Sequence, residues 1–590
     1  MSAETRSCQH CQQPFLIEVE DFDWYRKIDV PPPTWCPECR KQRRLSWRND
    51  MNLYSRKCDL CGKNTVSIYA PNGPIKTVYC QKCWWSDKWD PRSYARDYDP
   101  KRSFFKQFAE LQQTVPALAM INDDGIMSMN CEYTQDFARS KNCYMVFIAW
   151  KLEDCMNSFY ILDGKEIFDS LNSMGECQSI YETVQIEKCY QCRNVYQSIA
   201  LTDCQFMWDC RDCSDCFMCV GLRHKKYCFK NIQYTKEEYK KILAEYRLDT
   251  ASGVERAWQE FEPMLTRYPR KPFEFYNCVN CTGDQLINGK NSKHCFNVAR
   301  PEDCKWVEDA DTPKDSHDLT VGGELDQCYE SITADHSYRS RFSIFSWKNT
   351  ETFYLDACHS SKDIFGCVGV KKAQYCILNK QYSKEEYVKL AAQIRQDMDA
   401  NPYLDKAGIK YGFGEFFPAE LSYFAYNESS AYGAFPISEK DAAAKNLRWQ
   451  DKFQLTTGQE TIQPDAIPDS IRDVQDSITK ETLRCAECSR NYRIIPQELS
   501  FYRKMSIPIP RRCFYCRAKT RFALQNPYKL WSRKCMCAGG ESENGVFKNT
   551  AAAHPSHAPG EPCPNKFETS YAPGRPEIIY CEQCYNSEIA

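Results

Sequence analysis

Histidine is scarce in this chain, with eight scattered singly through 590 residues, so a histidine-based catalytic centre has little support. Also missing are a glycine loop that would cradle phosphate, a nucleophile elbow and a metal motif with a visibly open position. The sequence therefore names no catalytic constellation, and no carboxylate pair can be picked out by spacing. A membrane span is lacking too, because no run is long and apolar enough to resemble one. The opening MSAETRSCQH is polar and has no apolar leader core, so a reducing, cytoplasmic compartment is expected. A net charge of −2 and a hydrophobic content of 42% describe a soluble, multidomain protein with room for several cores.

What is abundant is cysteine, 37 in all, together with 14% aromatic residues. Near the start the cysteines come in pairs: Cys8/Cys11, Cys36/Cys39, Cys58/Cys61 and Cys80/Cys83. Near the end the pairs are Cys485/Cys488, Cys513/Cys516, Cys535/Cys537 and Cys581/Cys584. Cys11 to Cys36 and Cys488 to Cys513 are both 25 residues, and Cys39 to Cys58 and Cys516 to Cys535 are both 19. Trp24-Tyr25 matches Phe501-Tyr502, SRK recurs at 55–57 and 532–534, and Tyr69-Ala70-Pro71 returns as Tyr571-Ala572-Pro573. The two ends are an internal duplication.

Two thiolate pairs separated by a short folded segment supply what tetrahedral zinc needs, and four sulfurs close the site and make it structural. A disulfide framework is the alternative, and the expected reducing compartment argues against it. Sequential pairing of the sixteen cysteines gives about four structural zinc ions. The last site departs from the others. Cys535/Cys537 is one residue short of a standard knuckle, the interval from Cys537 to Cys581 is 44 residues where Cys61 to Cys80 is 19, and the excess contains Cys563, His554 and His557.

The segment CQHCQQPFLIEVEDFDWYRKIDVPPPTWCPECRKQRR resembles the zinc-ribbon, treble-clef domain family. It has the first knuckle, Phe15, an aromatic-Tyr pair, a proline-rich approach and a second knuckle that runs into a basic helix. CAECSRNYRIIPQELSFYRKMSIPIPRRCFYCRAKTR matches as well. The whole chain is similar to zinc-rich proteins of candidate-phyla bacteria, some of which carry a CaiB/BaiF coenzyme A transferase label that no feature of this sequence supports. The resemblance implies a fold for both ends and no activity.

Residues 36–57 hold Arg40, Lys41, Arg43, Arg44, Arg48, Arg56 and Lys57 against two acids, and residues 511–534 hold eight Lys/Arg and no acid. A helix beginning at the second knuckle would line up Arg40, Arg43, Arg44 and Trp47 on one face, with Arg48 beside them, and Arg517 and Arg521 repeat Arg40 and Arg44. Arginine beside an aromatic suits phosphate contact and base stacking, so RNA or single-stranded DNA is a candidate partner. The same cations could instead offset the charge of four-thiolate sites or solvate a helix.

From Cys131 onward cysteines stand twelve residues apart in three runs, Cys131/Cys143/Cys155, Cys177/Cys189 and Cys192/Cys204/Cys216/Cys228, many after Asn or Asp, as in Asn142-Cys143, Asp154-Cys155 and Asp203-Cys204. Turns and short strands at a fixed period predict a β-solenoid with rungs of about 24 residues and an internal ladder of thiols. Cys210, Cys213, Cys216 and Cys219 could also hold an extra metal or an iron-sulfur cluster. Against this, CVGVKKAQYCILNKQYSKEEY, which repeats CVGLRHKKYCFKNIQYTKEEY, places Cys358, Ser361, Ile364 and Cys367 at the matching positions. Thr235/Glu238 and Ser383/Glu386 are capping-box signals for a helix after each segment.

The fold class expected is α+β, mainly β, with duplicated treble-clef zinc modules at both termini flanking two β-solenoid-like segments with capping helices. The boundaries are a double zinc module at 1–95, a helical linker at 96–127, solenoid-like segments at 128–232 and 271–380, a helical connector at 233–270 and a helix at 381–400. An irregular linker at 401–477 and a second double zinc module at 478–590 complete the chain. The function expected is a non-catalytic binding scaffold contacting RNA or single-stranded DNA. The alternatives are a scaffold for a protein partner and a redox or metal-handling protein using the central cysteine run.

Overall fold

The computed structural model describes residues 2–122, 128–323, 326–541 and 556–589. It is a mixed α/β structure in which sheet predominates. The chain divides into two compact units, each built from two distant segments: Met1–Gly125 with Phe275–Gln454, and Ile126–Glu274 with Leu455–Ala590. The N-terminal cysteine pairs thus share a unit with the second repetitive segment, and the C-terminal pairs share one with the first.

The repetitive segments are stacks of parallel strands. In the second unit the strands from Gln135–Ala138 to Cys228–Phe229 pair parallel with their sequence neighbours, and Ile232–Gln233 closes the sheet antiparallel. Paired residues such as Gln135↔Phe147, Tyr144↔Met156 and Gln205↔Phe217 lie twelve apart. One rung is therefore twelve residues, half the length expected from the sequence. In the first unit Phe296↔Glu308 and Lys362↔Gln374 keep the same register.

A short rung requires frequent turning. Left-handed backbone recurs at Asn130, Tyr133, Asp136, Arg139 and Asn142 with φ between 52° and 55°, and this spacing of three continues through most of both stacks. Asn and Asp tolerate that conformation better than other non-glycine residues, which explains why they so often precede a cysteine. The residue after most of these turns is buried, as with Cys143, Val146, Ala149, Leu152 and Cys155. Such an interior is narrow and favours small side chains.

The small polar ones serve the backbone. Cys155 Sγ donates to the Glu153 carbonyl at 3.2 Å and Cys192 Sγ to that of Tyr190 at 3.3 Å. Serine does the same and also accepts from the next rung: Ser198 Oγ donates to the Tyr196 carbonyl at 2.8 Å and accepts from the Cys210 N–H at 3.1 Å. Cysteine and serine are thus interchangeable as buried groups that satisfy backbone partners.

A helix follows each stack. Lys236–Glu245 starts at Thr235 and Lys384–Ala400 at Ser383, each with its capping box formed to Glu238 or Glu386. The helix Phe104–Thr114 lies against the stack of the first unit. Gly366, at φ 63°, admits this approach, because a Cβ there would stand 2.8 Å from Phe104 Cε2. The 401–477 stretch has little regular structure, yet Phe416, Phe417, Tyr423 and Phe424 are buried in one unit and Ile467, Ile471 and Val474 in the other. Among the described residues no helix is long and apolar enough to cross a membrane.

Candidate metal centres

Each cysteine site begins with a β-hairpin whose first strand ends at a cysteine. Glu4–Ser7 pairs with Pro14–Ile17 before Cys8, and Tyr54–Lys57 pairs with Asn64–Ser67 before Cys58. Leu483–Arg484 pairs with Asn491–Tyr492 before Cys485, and Trp531–Lys534 with Lys566–Thr569 before Cys535. The second cysteine pair starts a helix. Cys36 is the N-cap of Pro37–Leu45, with proline at the first helical position, and Cys513 is the N-cap of Phe514–Ala523. A helix N-terminus favours anionic sulfur. In every site the N–H of the third cysteine also donates to the first sulfur: Cys36 to Cys8, Cys80 to Cys58 and Cys513 to Cys485 at 3.2 Å, and Cys581 to Cys535 at 3.1 Å.

Four groups of four sulfurs gather within 4.8 Å: Cys8, Cys11, Cys36 and Cys39; Cys58, Cys61, Cys80 and Cys83; Cys485, Cys488, Cys513 and Cys516; and Cys535, Cys563, Cys581 and Cys584. The S···S separations are 3.7 Å for Cys11–Cys36, 4.0 Å for Cys61–Cys80, 3.6 Å for Cys488–Cys513 and 3.9 Å for Cys563–Cys581. A disulfide would need about 2.05 Å. A tetrahedron of metal–sulfur bonds near 2.3 Å has edges of about 3.8 Å, so each group fits one metal ion with all four positions filled. The thiols already share protons: the hydrogen bond to Cys39 holds Cys36 down to about 5, while the same contact drives Cys39 up.

The first three groups follow sequential pairing. In the fourth, Cys563 stands where Cys537 is expected. The Cys8 N–H donates to the Gln13 carbonyl, that of Cys58 to Lys63 and that of Cys485 to Arg490; that of Cys535 reaches Asn565. Cys563 precedes Asn565 by two, as Cys11 precedes Gln13 by two, so the chain between Cys535 and Cys563 contains an insertion inside the knuckle. The sequence carries a signal for this, because Cys563 precedes Tyr571 by eight residues, as Cys61 precedes Tyr69. Cys537 lies instead with His557 and Cys584 in a three-residue group. His554 falls outside the described residues.

The basic helices turn their arginines inward. Arg40 donates through Nε and Nη2 to Asp318 Oδ2 at 3.1 and 2.7 Å, and Arg44 reaches the other oxygen of Asp318 at 3.1 Å. Arg43 bridges Glu330 at 2.5 Å and Glu415 at 2.7 Å. Arg48 donates to Thr333 Oγ1 at 2.9 Å, and Trp47 Nε1 to the Phe417 carbonyl at 3.3 Å. In the other unit Arg517 and Arg521 meet Asp169 at 3.0 and 3.1 Å, and Arg521 also meets Glu182 at 3.1 Å. All seven of these arginine and tryptophan side chains are buried. The face expected to contact phosphate is the face that docks each terminal module on its stack.

The matched aromatic pairs belong to the same docking. Trp24 stacks on His317, the residue before Asp318, with ring centroids 3.7 Å apart, and Phe501 stacks on Phe168, the residue before Asp169, also at 3.7 Å. No local pattern in the sequence points to these partners, which lie hundreds of residues from the helices they hold.

Cys210, Cys213, Cys216 and Cys219 are consecutive inward positions of one rung and are buried. Among the described residues they are not one of the groups that bring ligand atoms together. Burial pushes the Cys210 and Cys219 thiols up, and all four donate to carbonyls two residues back, at 3.2 to 3.4 Å. Each of the four thiols thus already serves a backbone carbonyl inside the stack. No family model matches this chain, and no curated protein matches it.

Proposed function

We propose that the chain is a zinc-stabilised, non-catalytic binding scaffold. Zinc is the metal that four thiolates and a closed tetrahedron suit best, and the family that both terminal segments resemble, the zinc-ribbon or treble-clef domain, is built around such sites. On this reading four structural zinc ions hold the terminal modules, the modules clamp two solenoid-like coils, and the free thiols belong to a reducing, cytoplasmic setting.

The observation that carries the proposal is the repeated clamp, in which one buried aspartate holds two arginines in each unit, Asp318 with Arg40 and Arg44 and Asp169 with Arg517 and Arg521. Metal-organised helices whose cations are used internally act as structural parts. This favours a protein partner over RNA or single-stranded DNA, because the arginines that nucleic acid would need already have carboxylates. The inner thiols, buried and each hydrogen-bonded to a backbone carbonyl, weigh against redox chemistry.

The deciding experiment compares the wild type with an Arg40→Ala/Arg44→Ala variant in two measurements, unfolding by denaturant and affinity for RNA and single-stranded DNA across a salt titration. The clamp predicts a large loss of stability in the variant and no steeply salt-dependent binding by the wild type. A variant as stable as the wild type with lost nucleic-acid affinity overturns the reading.

A further inference from the structure

The insertion in the fourth cysteine site adds two ligand-type side chains; the first site has one, His10, whose Nδ1 lies 3.2 Å from Cys39 Sγ, but among the described residues only the fourth site builds a further group of three. Cys537 Sγ lies 3.6 Å from His557 Nε2, which lies 3.4 Å from Cys584 Sγ. All three atoms fall within 4.8 Å of one another, and Cys584 also belongs to the four-sulfur group with Cys535, Cys563 and Cys581. Cys537 and Cys584 are buried, and His557 is partly exposed.

The imidazole is oriented for coordination. His557 Nδ1 lies 3.1 Å from the Ala558 carbonyl. A proton on Nδ1 donated there leaves the lone pair of Nε2 facing both sulfurs, the arrangement in which a second hydrogen bond fixes the tautomer of a metal-binding histidine.

We infer that this site binds a second divalent d10 ion, zinc or cadmium, through Cys537 and His557, with the Cys584 thiolate bridging it to the ion of the four-sulfur group. The inference rests on the zinc reading of that group. The second ion has three protein ligands among the described residues, leaving one position for water or an added donor. It is the exchangeable ion of the chain, whereas the four closed sites retain theirs.

Metal content of the full-length protein after zinc loading and desalting tests this. Five zinc ions per chain in the wild type and four in each of Cys537→Ser and His557→Ala, with the unfolding transition of the rest retained, support the site. Four in the wild type, unchanged in both variants, overturn it and leave the four closed sites standing. Fewer than four overturn both it and the reading beneath it. Cadmium-113 resonance adds an independent check: two of the five bound cadmium ions should show scalar coupling through Cys584, and five uncoupled signals would sink the bridge.

Discussion

Arg40 and Asp318 meet at 2.7 Å with their side chains only 1% and 0% exposed, and Arg44 joins the same carboxylate from one turn further along the helix. Charges taken so far from water are tolerated only when each is fully matched, and removing one partner strands the others.

Replacing Asp318 with Asn should therefore destabilise the first unit by about 3–5 kcal/mol, the range for breaking a buried ion pair, and Asp169→Asn should do the same to the second unit. Denaturant unfolding checks both. By contrast, Asp23→Ala removes an exposed partner of Arg26 and should change stability by less than about 1 kcal/mol. Equal effects from Asp318 and Asp23 would rule out the clamp.

The last cysteine site offers a direct choice between two residues. Cys563→Ser should remove the ion of the four-sulfur group and open the hairpin that joins Trp531–Lys534 to Lys566–Thr569, whereas Cys537→Ser should leave that hairpin intact. Metal content together with hydrogen exchange in 531–569 separates them. An intact hairpin and full zinc in Cys563→Ser would restore Cys537 to the closed site.

The legible and illegible parts of the sequence divide along physical lines. Paired cysteines, the duplication and the capping boxes at Thr235 and Ser383 are local patterns; both capping boxes form where expected, and three of the four cysteine groups keep the sequential pairs, with Cys563 in place of Cys537 in the fourth. The twelve-residue period is visible in the sequence, but rung length is not, since twelve residues could be a whole turn or half of one. Left-handed turns at every third residue decide it, and their trace in the sequence is the inward series Cys143, Val146, Ala149, Leu152 and Cys155. The arginines of Pro37–Leu45 share a single face, as their spacing implies. What that face meets depends on Asp318, Glu330 and Glu415, and nothing near the helix specifies them.

A pH dependence should arise from Asp356. Burial raises its carboxyl to about 7, against an ordinary value of 3.8, and among the described residues Gln112 at 2.7 Å and Tyr423 at 3.4 Å offer it hydrogen bonds. The folded state thus holds a proton that the unfolded state releases between about pH 4 and 7. This group's contribution is full below the unfolded value and is lost as pH rises through the folded one. Asp356→Asn should remove that slope, so its melting temperature should exceed the wild type's at pH 8 and approach it near pH 5. Parallel profiles for the two proteins would refute this account.

The inner thiols should be silent. With metal retained, Cys210, Cys213, Cys216 and Cys219 should resist a thiol reagent until the coil unfolds, because they are buried, and because burial pushes the Cys210 and Cys219 thiols up while hydrogen bonds to neighbouring thiols do the same to Cys213 and Cys216. Cys213→Ser should cost no more than about 1 kcal/mol, since Ser361 fills the matching place and donates to the His359 carbonyl at 3.0 Å. Rapid labelling of the native protein, or a visible absorption band, would revive redox chemistry.

The crossed composition of the units has a consequence for synthesis. When the first 125 residues leave the ribosome, Asp318, Glu330 and Glu415, which their helix needs, have not yet been made. Asp169 likewise waits for Arg517 and Arg521. A nascent chain must therefore hold Trp24, Arg40 and Arg44 unmatched until His317 and Asp318 are made, and Arg43 without its second carboxylate until Glu415; any single cut within 126–454 that separates the two products splits at least one unit. The first cysteine group, by contrast, draws all four sulfurs from residues 8–39 and needs no residue beyond them to assemble.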